Sequence, residues 1–327
     1  MARHWVATAP GAPDTWSFEE TAVPAPGPGE VTIRVRAAGV NPADYKHVAQ
    51  QRPGQVFPVP IGYEVSGELT AVGPDTAIAS GACRVGDEVV AFRVQGGYAT
   101  DLTVSADLVL HKPAALEHAA AANLLLAGTT AAEMIAVTSA AAGETVLLHA
   151  AAGAVGVSAL QQAAVRGIRV IGTVGSDASA QRVRGFGGVP VRYGDGLADR
   201  VRDAVGGARV AAAWDAAGTE EAVSVSLDLV ADRQRIVTIA NTPAAEREGF
   251  RWIAGARPES ARFRTAARPE LIALAEQGRL TVPVARTFPL ADAVAALRFV
   301  AEGHPGGTVA LLPRRALSPP RAAAAPR

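Results

Sequence analysis

A short glycine-containing turn is the segment whose residue types and spacing best suggest ligand chemistry. The apolar run Thr145–Ala150 leads directly into Ala150–Gly156, with the sequence A-A-A-G-A-V-G, and a helical pattern follows. A strand that turns sharply into a helix exposes unpaired amide donors at the positive end of the helix dipole, where a pyrophosphate can bind. Gly153 would let the backbone approach a phosphate, and Gly156 would let helix and strand pack closely. The predicted phosphate-binding residues are Gly153, Ala154, Val155 and Gly156.

The glycine pattern of this turn has two interpretations. A complete G-x-G-x-x-G motif would place a further glycine at Ala151, so the segment also fits a strand, turn and helix with packing glycines and no ligand. Its position favours a ligand, because the turn opens a long series of alternating strands and helices, where dinucleotide sites occur.

The end of the second strand in that series bears on which dinucleotide binds. An NAD site places Asp or Glu there for the ribose hydroxyls, whereas this strand ends at Ser176. A hydroxyl and a guanidinium suit a 2′-phosphate, which a carboxylate would repel. Ser176, Arg182 and Tyr193 are therefore predicted to bind that phosphate, and NADPH is the predicted cofactor. Asp177 opposes this prediction, and Arg182 could instead lie on a solvated helix face.

Hydrophobic periodicity predicts the elements that would position these residues. Between Thr145 and Asn241, apolar strands alternate with helices, which predicts a parallel sheet covered on both faces. Upstream, short β-type runs between turn residues predict an antiparallel, barrel-like unit. Leu116–Ser139 is predicted to be a helical stretch between the two units. Thr308–Leu312 is predicted to be a last strand that returns to the first unit.

Length and composition limit the possible classes of protein. With 327 residues, 49% hydrophobic and 19% charged, the chain is expected to be globular with two domains. Its 31 basic and 31 acidic residues cancel, which removes the cationic surface needed to bind nucleic acid or an anionic membrane. No apolar run fits a membrane span or a signal peptide, so a cytoplasmic location is predicted. Small molecules are the expected partners.

The single cysteine limits disulfide and metal chemistry. Cys83 has no cysteine with which to form an internal disulfide, and it cannot build a multi-cysteine zinc site. His111 and His149 stand alone in the sequence and are interpreted as structural.

Seven segments, in this order and at these spacings, carry a family resemblance. They are Ala37–Lys46 (AAGVNPADYK), Ile61–Gly73 (IGYEVSGELTAVG), Val85–Phe92 (VGDEVVAF), Gly96–Val104 (GGYATDLTV), Leu124–Ile135 (LLLAGTTAAEMI), Ala142–Ala164 (AGETVLLHAAAGAVGVSALQQAA) and Glu302–Leu312 (EGHPGGTVALL). Together they resemble the zinc-independent branch of the medium-chain dehydrogenases/reductases, the quinone oxidoreductase (zeta-crystallin-like) group. The resemblance extends from about Val31 to Pro313.

This resemblance implies an α/β fold in two parts. A GroES-like partly open β-barrel catalytic domain would comprise residues 1–122 and 266–313. A Rossmann doubly wound parallel-sheet cofactor domain would comprise residues 123–265, with the active site in the cleft between the two. Residues 314–327, rich in Pro, Ala and Arg, are predicted to form a disordered tail. The resemblance also implies a homodimer.

Zinc ligands known from other branches of the family are missing. Zinc-dependent relatives have a cysteine in the early loop, here near Val40, and a histidine before the glutamate of a G-H-E motif, where this chain has Gly62-Tyr63-Glu64. Metal-polarised alcohol oxidation is therefore not expected. Hydrogen-bond donors must polarise the substrate instead, which suffices for hydride delivery to a quinone or an activated C=C bond.

The same resemblance implies the site residues. Asn41 is the predicted donor to the nicotinamide ribose or to the substrate carbonyl, and Tyr45 and Tyr63 are predicted donors or stacking surfaces. Tyr63 could equally fill the space of the missing metal, and Asn41-Pro42 could be a turn. The remaining predicted cofactor residues are Thr130 near the nicotinamide and, at the carboxyl ends of later strands, Gly218, Ala240 and Asn241.

The predicted function is NADPH-dependent reduction of a small electrophilic molecule, a quinone or an α,β-unsaturated carbonyl compound, without zinc. The alternatives are an enoyl reductase of a specialised-metabolite, polyketide-like pathway and a catalytically silent dinucleotide-binding protein. Two departures from the family are relevant, the first to the substrate and the second to the preference for NADPH. No tyrosine lies between Val48 and Pro60, where enoyl-thioester reductases often carry a proton donor. Ser179 and Thr308 stand where lysines are common in NADPH-dependent members.

Overall fold

A computed structural model describes residues 1–51, 54–303 and 306–313 of the chain. The predicted tail 314–327 lies outside the described residues. The strands are β1 (Ala2–Ala7), β2 (Trp16–Thr21), β3 (Glu30–Val40), β4 (Val59–Pro60), β5 (Glu64–Val72), β6 (Glu88–Phe92), β7 (Asp101–Ser105), β8 (Val109–His111), β9 (Thr145–His149), β10 (Arg169–Val174), β11 (Val189–Arg192), β12 (Ala212–Asp215), β13 (Ile236–Thr238), β14 (Arg251–Trp252), β15 (Val284–Pro289) and β16 (Thr308–Leu312).

Helices connect and cover these strands. They are α1 (Pro42–Lys46), α2 (His118–Ala121), α3 (Leu125–Val137), α4 (Ala154–Val165), α5 (Asp177–Gly185), α6 (Leu197–Val205), α7 (Glu220–Leu229), α8 (Thr242–Glu248), α9 (Pro258–Glu276) and α10 (Ala293–Ala301). In the described part of the chain, none of them has the length and apolar character required to cross a bilayer.

The first unit is a barrel-like sheet whose strands are antiparallel except for the parallel pair β15 and β16. Its strands lie in the order β15-β16-β3-β5-β6-β8, and β7 pairs with β3. A small sheet of order β2-β1-β4 packs beside it, and the shared core includes Trp5, Ile33, Val65 and Leu69. The last strand, β16, runs antiparallel to β3, with Val309 opposite Val40, as the sequence pattern predicts.

The second unit is a six-stranded parallel sheet of order β11-β10-β9-β12-β13-β14. Every residue of β9 is buried, which fits a strand covered on both faces. One face packs against α3, α4 and α5, and the other packs against α6, α7 and α8. From β9 the chain continues to β10 and β11 on one side of the sheet and to β12, β13 and β14 on the other, so the strand order reverses between β9 and β12. Ligands bind at this point in sheets of this kind.

Two details differ from the sequence expectations. The predicted helical stretch Leu116–Ser139 is interrupted between α2 and α3, where the Asn123 side chain donates to the Ala119 carbonyl at 2.9 Å. An asparagine that bonds nearby backbone competes with helix continuation, which the alanine-rich composition hid. Helix α9 is continuous through residue 265, where the predicted domain boundary lies.

Candidate active site

The candidate site is a cleft at the carboxyl end of β9. The turn after β9 forms one wall with Gly153 and Ala154, and Leu280–Pro283 and Gly307–Thr308 form the opposite wall. The predicted phosphate turn therefore faces residues next to the barrel strands.

The two glycines of the turn have different surroundings. Gly153 caps α4 in an extended conformation, and a Cβ atom there would meet only the Ala150 carbonyl oxygen, at 3.4 Å. A Cβ atom on Gly156 would lie 2.5 Å from the Ala151 oxygen and 2.6 Å from the Ala150 oxygen. Open space at a helix N-terminus fits a phosphate beside Gly153, whereas Gly156 is needed for close packing of the helix on the turn.

Ser176 and Tyr193 come together at the end of β10. The Ser176 hydroxyl caps α5 by accepting from the Ser179 amide at 3.1 Å, and the two serine hydroxyls bond at 3.0 Å. The Tyr193 side chain covers Gly175, since a Cβ atom there would lie 2.6 Å from the tyrosine oxygen. The arrangement offers hydroxyl groups where the sequence predicts a 2′-phosphate.

The guanidinium beside this strand end belongs to a residue that sequence reasoning missed. Arg192, the last residue of β11, forms a 2.7 Å ion pair with Asp177. One feature of the sequence indicated this role, because Arg192 immediately precedes Tyr193, a predicted phosphate-binding residue. The Arg182 guanidinium lies beside Gly306, since a Cβ atom there would be 3.0 Å from its Nη2 atom.

Asp215 organises the loops that carry the other predicted cofactor residues. Its carboxylate accepts from the Gly218 amide at 2.8 Å and from the Thr238 hydroxyl at 2.7 Å. The Thr238 oxygen in turn accepts from the amides of Ala240 and Asn241, each at 3.1 Å. The Asn241 side chain donates to the Gly218 carbonyl at 3.0 Å. These bonds hold together Gly218, Ala240 and Asn241. The two residues that support them, Asp215 and Thr238, were not predicted from the sequence.

Asn41 is fixed by a buried carboxyl. Its Nδ2 atom donates to Oε1 of Glu64 at 2.9 Å, while Oε2 of Glu64 accepts from the Leu126 amide at 2.9 Å. Leu126 lies in α3, and its carbonyl accepts from the Thr130 hydroxyl at 2.7 Å. Glu64 thus connects the loop of Asn41 with the helix of Thr130.

A second carboxyl lies beneath the same loop. Asp44 accepts from the Asn41 amide at 2.7 Å and from the Tyr98 hydroxyl at 2.8 Å. Burial raises the pKa of Asp44 from 3.8 to about 7, and burial raises the pKa of Glu64 from 4.5 to about 8. Burial, followed by the nearby Asp44 charge, also raises the pKa of Tyr98. At neutral pH Glu64 is therefore mostly protonated and Asp44 is partly protonated, so they position Asn41 without adding two full negative charges.

The two candidate tyrosines differ in placement. The Tyr63 hydroxyl is hydrogen-bonded to Nδ1 of His47. Tyr45 is partly buried and packs against the barrel core. Among the described residues, no group of three or more His, Cys, Asp or Glu side chains could hold a metal ion.

A parallel sheet with a glycine turn at its switch point, facing a barrel-like sheet across a cleft, defines the architecture of the medium-chain dehydrogenases/reductases. Residues 27–114 match the family model "Alcohol dehydrogenase GroES-like domain", and residues 188–311 match "Zinc-binding dehydrogenase". Quinone oxidoreductase of Salmonella typhimurium is 32% identical over 235 residues, covering 71% of this chain and 70% of that protein. The Pseudomonas aeruginosa quinone oxidoreductase is 29% identical over 330 residues, covering 96% of this chain and 100% of that protein.

Solved structures give the same result. Escherichia coli quinone oxidoreductase, solved in complex with NADPH, has a TM-score of 0.82 and 26% identity, covering 95% of this chain and 100% of that one. The chain belongs to the quinone oxidoreductase family of the medium-chain dehydrogenases/reductases, a family of oxidoreductases. The predicted fold class and family resemblance are confirmed.

Two further relatives bear on substrate chemistry. A 2-haloacrylate reductase of Burkholderia sp is 29% identical over 330 residues, covering 93% of this chain and 97% of that protein. A mycocerosic acid synthase-like polyketide synthase of Mycolicibacterium smegmatis is 34% identical over 164 residues, covering 50% of this chain and 8% of that protein.

Proposed function

We propose that this chain is an NADPH-dependent reductase that transfers hydride to a quinone or an α,β-unsaturated carbonyl compound without zinc. The observation that carries the proposal is the open space beside Gly153, at the N-terminus of α4 and at the switch point of the parallel sheet. A pyrophosphate placed there fits the N-terminal amides of α4 and the helix dipole. The Escherichia coli relative solved with NADPH supports the choice of cofactor.

The residues of this chain would have the following roles. NADPH supplies the hydride when it is bound. The turn Gly153–Gly156 holds its pyrophosphate, and the loops tied together by Asp215 hold the nicotinamide half. Asn41, fixed by Glu64, donates a hydrogen bond to the ribose or to the substrate carbonyl. A small electrophilic substrate is the expected partner, while a homodimer and a cytoplasmic location stay predictions.

NADPH oxidation across a panel of quinones, enones and enoyl thioesters tests the proposal. Turnover of quinones or enones is the expected result. An NADPH-binding protein that turns over no member of the panel would instead be the catalytically silent alternative.

An enoyl reductase of a polyketide-like pathway is the second candidate function. It is supported by the likeness to a polyketide synthase and to a reductase named for 2-haloacrylate, whose C=C bond is conjugated to a carboxyl group. Enoyl thioesters turned over at least about tenfold faster than quinones, a difference of about 1.4 kcal/mol in activation free energy, would favour it.

The zinc-free mechanism has its own test. Activity should be unchanged after dialysis against a strong chelator, since Tyr63 stands at the ligand position of the G-H-E motif. Elemental analysis that finds close to one zinc per active chain would contradict this part of the proposal.

A further inference from the structure

Tyr63 and His47 form a side-chain pair near the loop of Asn41. The Tyr63 hydroxyl bonds to Nδ1 of His47, and the two rings are perpendicular, with their centroids 4.6 Å apart. Both residues are partly exposed, so the pair can exchange protons with water. The hydride-transfer scheme above gives His47 no part.

The backbone places this pair next to Asn41. His47 directly follows α1, which begins after Asn41, and its carbonyl accepts from the Gln55 side chain at 3.1 Å. Tyr63 directly precedes Glu64, whose carboxyl holds the Asn41 side chain, and the Tyr63 carbonyl accepts from the Val94 amide at 3.1 Å. Two segments that position Asn41 therefore also position the pair.

Hydride delivery to an enone requires a proton as well. We propose that Tyr63 donates this proton and that His47 replaces it, an inference that rests on the proposed function. Hydride from NADPH forms the bond at the β-carbon, and the C=C electron pair moves onto the α-carbon and the carbonyl oxygen. The Tyr63 O–H bond breaks as the α-carbon takes the proton. The phenolate then takes the proton from Nδ1 of the His47 imidazolium, and the neutral imidazole that remains regains a proton from solvent.

Histidine suits this role because it changes charge near neutral pH, whereas a phenol alone has a pKa of about 10. The other ionisable side chains on these segments are Asp44, Tyr45, Lys46 and Glu64. The carboxyls of Asp44 and Glu64 bond to Asn41, Tyr98 and Leu126. His47 is thus the positioning residue that acts through Tyr63.

The test compares His47→Asn and Tyr63→Phe with the wild-type protein on one enone and one quinone. Asparagine keeps a hydrogen-bonding group near the Nδ1 position but cannot supply a proton at neutral pH. For the enone, kcat should fall about 100-fold or more in both variants, the usual scale of general acid catalysis. Quinone turnover by His47→Asn should change by less than about threefold, because the hydroquinone oxygens take protons from water. The dissociation constant for NADPH should not change.

The pH profile gives a second readout. Wild-type kcat for the enone should fall as pH rises through the imidazole pKa, and His47→Asn should lose this dependence. His111→Asn is the matched control, because His111 also bonds a hydroxyl through Nδ1, that of Ser80 at 2.8 Å, on the barrel. Its kcat should equal that of wild type.

Three outcomes would overturn the inference. They are unchanged enone turnover in His47→Asn, equal losses on enone and quinone, and a weakened NADPH affinity, which would indicate a structural role. A wild-type protein that reduces no substrate overturns the proposed function instead. In that case an ultraviolet titration of the Tyr63 phenol still tests whether the pair shares a proton. Identical titration curves for the wild type and His47→Asn would rule out proton coupling within the pair.

Discussion

At the scale of single residues, buried carboxyls dominate the candidate site. Asp44 and Glu64 have little contact with solvent, yet each accepts two hydrogen bonds that fix the loop of Asn41 or the start of α3. A buried carboxyl that keeps its proton avoids the large cost of an unpaired buried charge. The arrangement orients a donor while the cleft stays nearly neutral.

Stability should therefore depend on pH in a definite direction. The folded pKa values of about 7 and about 8 exceed those of the unfolded chain, so this contribution is fully present below pH 4 and is lost as pH rises through the folded values. Burial lowers the pKa of His149 to about 4, so its contribution to the free energy of unfolding falls as pH drops below 6.5. Between pH 6.5 and 9 the free energy of unfolding should fall by about 2–3 kcal/mol.

Urea unfolding at pH 6.5, 7.5 and 9 measures this loss. Glu64→Gln cannot ionise and should remove more than half of the decline, because its folded pKa is the higher one. An equal decline in the variant and the wild type would show that other groups cause it.

The guanidinium groups near β10 set the expected cofactor preference. NADPH should bind more tightly than NADH by about 1–3 kcal/mol, the scale of a charge-assisted phosphate contact. Arg192→Ala should weaken NADPH binding and leave NADH binding nearly unchanged, since Arg192 lies at the strand end and can neutralise Asp177. Arg182→Ala should likewise weaken NADPH binding and leave NADH binding nearly unchanged.

Calorimetric titration with both dinucleotides distinguishes these roles. Arg184→Ala is the matched control, because Arg184 lies on the same helix and is exposed. Equal losses of NADPH and NADH affinity in Arg182→Ala would show that its contact near Gly306 is structural. Equal wild-type dissociation constants would contradict the predicted preference.

At the scale of elements, the β9 turn and α4 should respond differently to two similar substitutions. Gly153→Val places a branched side chain in the open space, so dinucleotide affinity should collapse while the fold persists. Gly156→Val forces atoms against two carbonyl oxygens, so it should cost stability by about 1–3 kcal/mol as well as binding. Thermal melts alongside NADPH titration separate the two, and wild-type affinity in Gly153→Val would place the dinucleotide elsewhere.

Elements with strong periodicity could be predicted from sequence, and contacts between distant residues could not. The alternation from β9 to β13 was recovered because buried parallel strands are apolar and separated by amphipathic helices. Strand β1 was not predicted, because its six residues do not repeat a pattern of apolar and polar side chains. Pairing with β2 and β4 forms the strand in the folded chain. The roles of Asp215 and Arg192 depend on neighbours that only the folded chain brings together.

At the scale of the whole molecule, the two units are joined by contacts between residues far apart in sequence. Arg93 donates to the Gly255 carbonyl at 2.8 Å, and Arg268 donates to the Asp107 carbonyl at 3.0 Å. The Arg264–Glu133 ion pair, 2.7 Å long and buried, ties α9 to α3. Such contacts hold the barrel against the parallel sheet, so the cleft residues keep their relative positions.

The C-terminal strand completes this arrangement, and paired truncations should show it. Strand β16 pairs with both β15 and β3, and Val309 and Leu311 lie in the barrel core. Burying each side chain stabilises by about 1.5–3 kcal/mol, a large share of the roughly 5–15 kcal/mol typical of a folded protein. A chain ending at Gly307 should therefore be insoluble or melt far below the wild type.

A chain ending at Pro313 retains β16 and lacks only the tail predicted to be disordered. It should melt within about 1 °C of the full-length protein, because a segment that packs against nothing contributes little to stability. Thermal melts of both truncations at equal protein concentration make the comparison. A cooperative wild-type melt in the shorter chain would mean that β3 tolerates an open edge, whereas a large loss in the longer chain would mean that residues 314–327 pack against the folded protein.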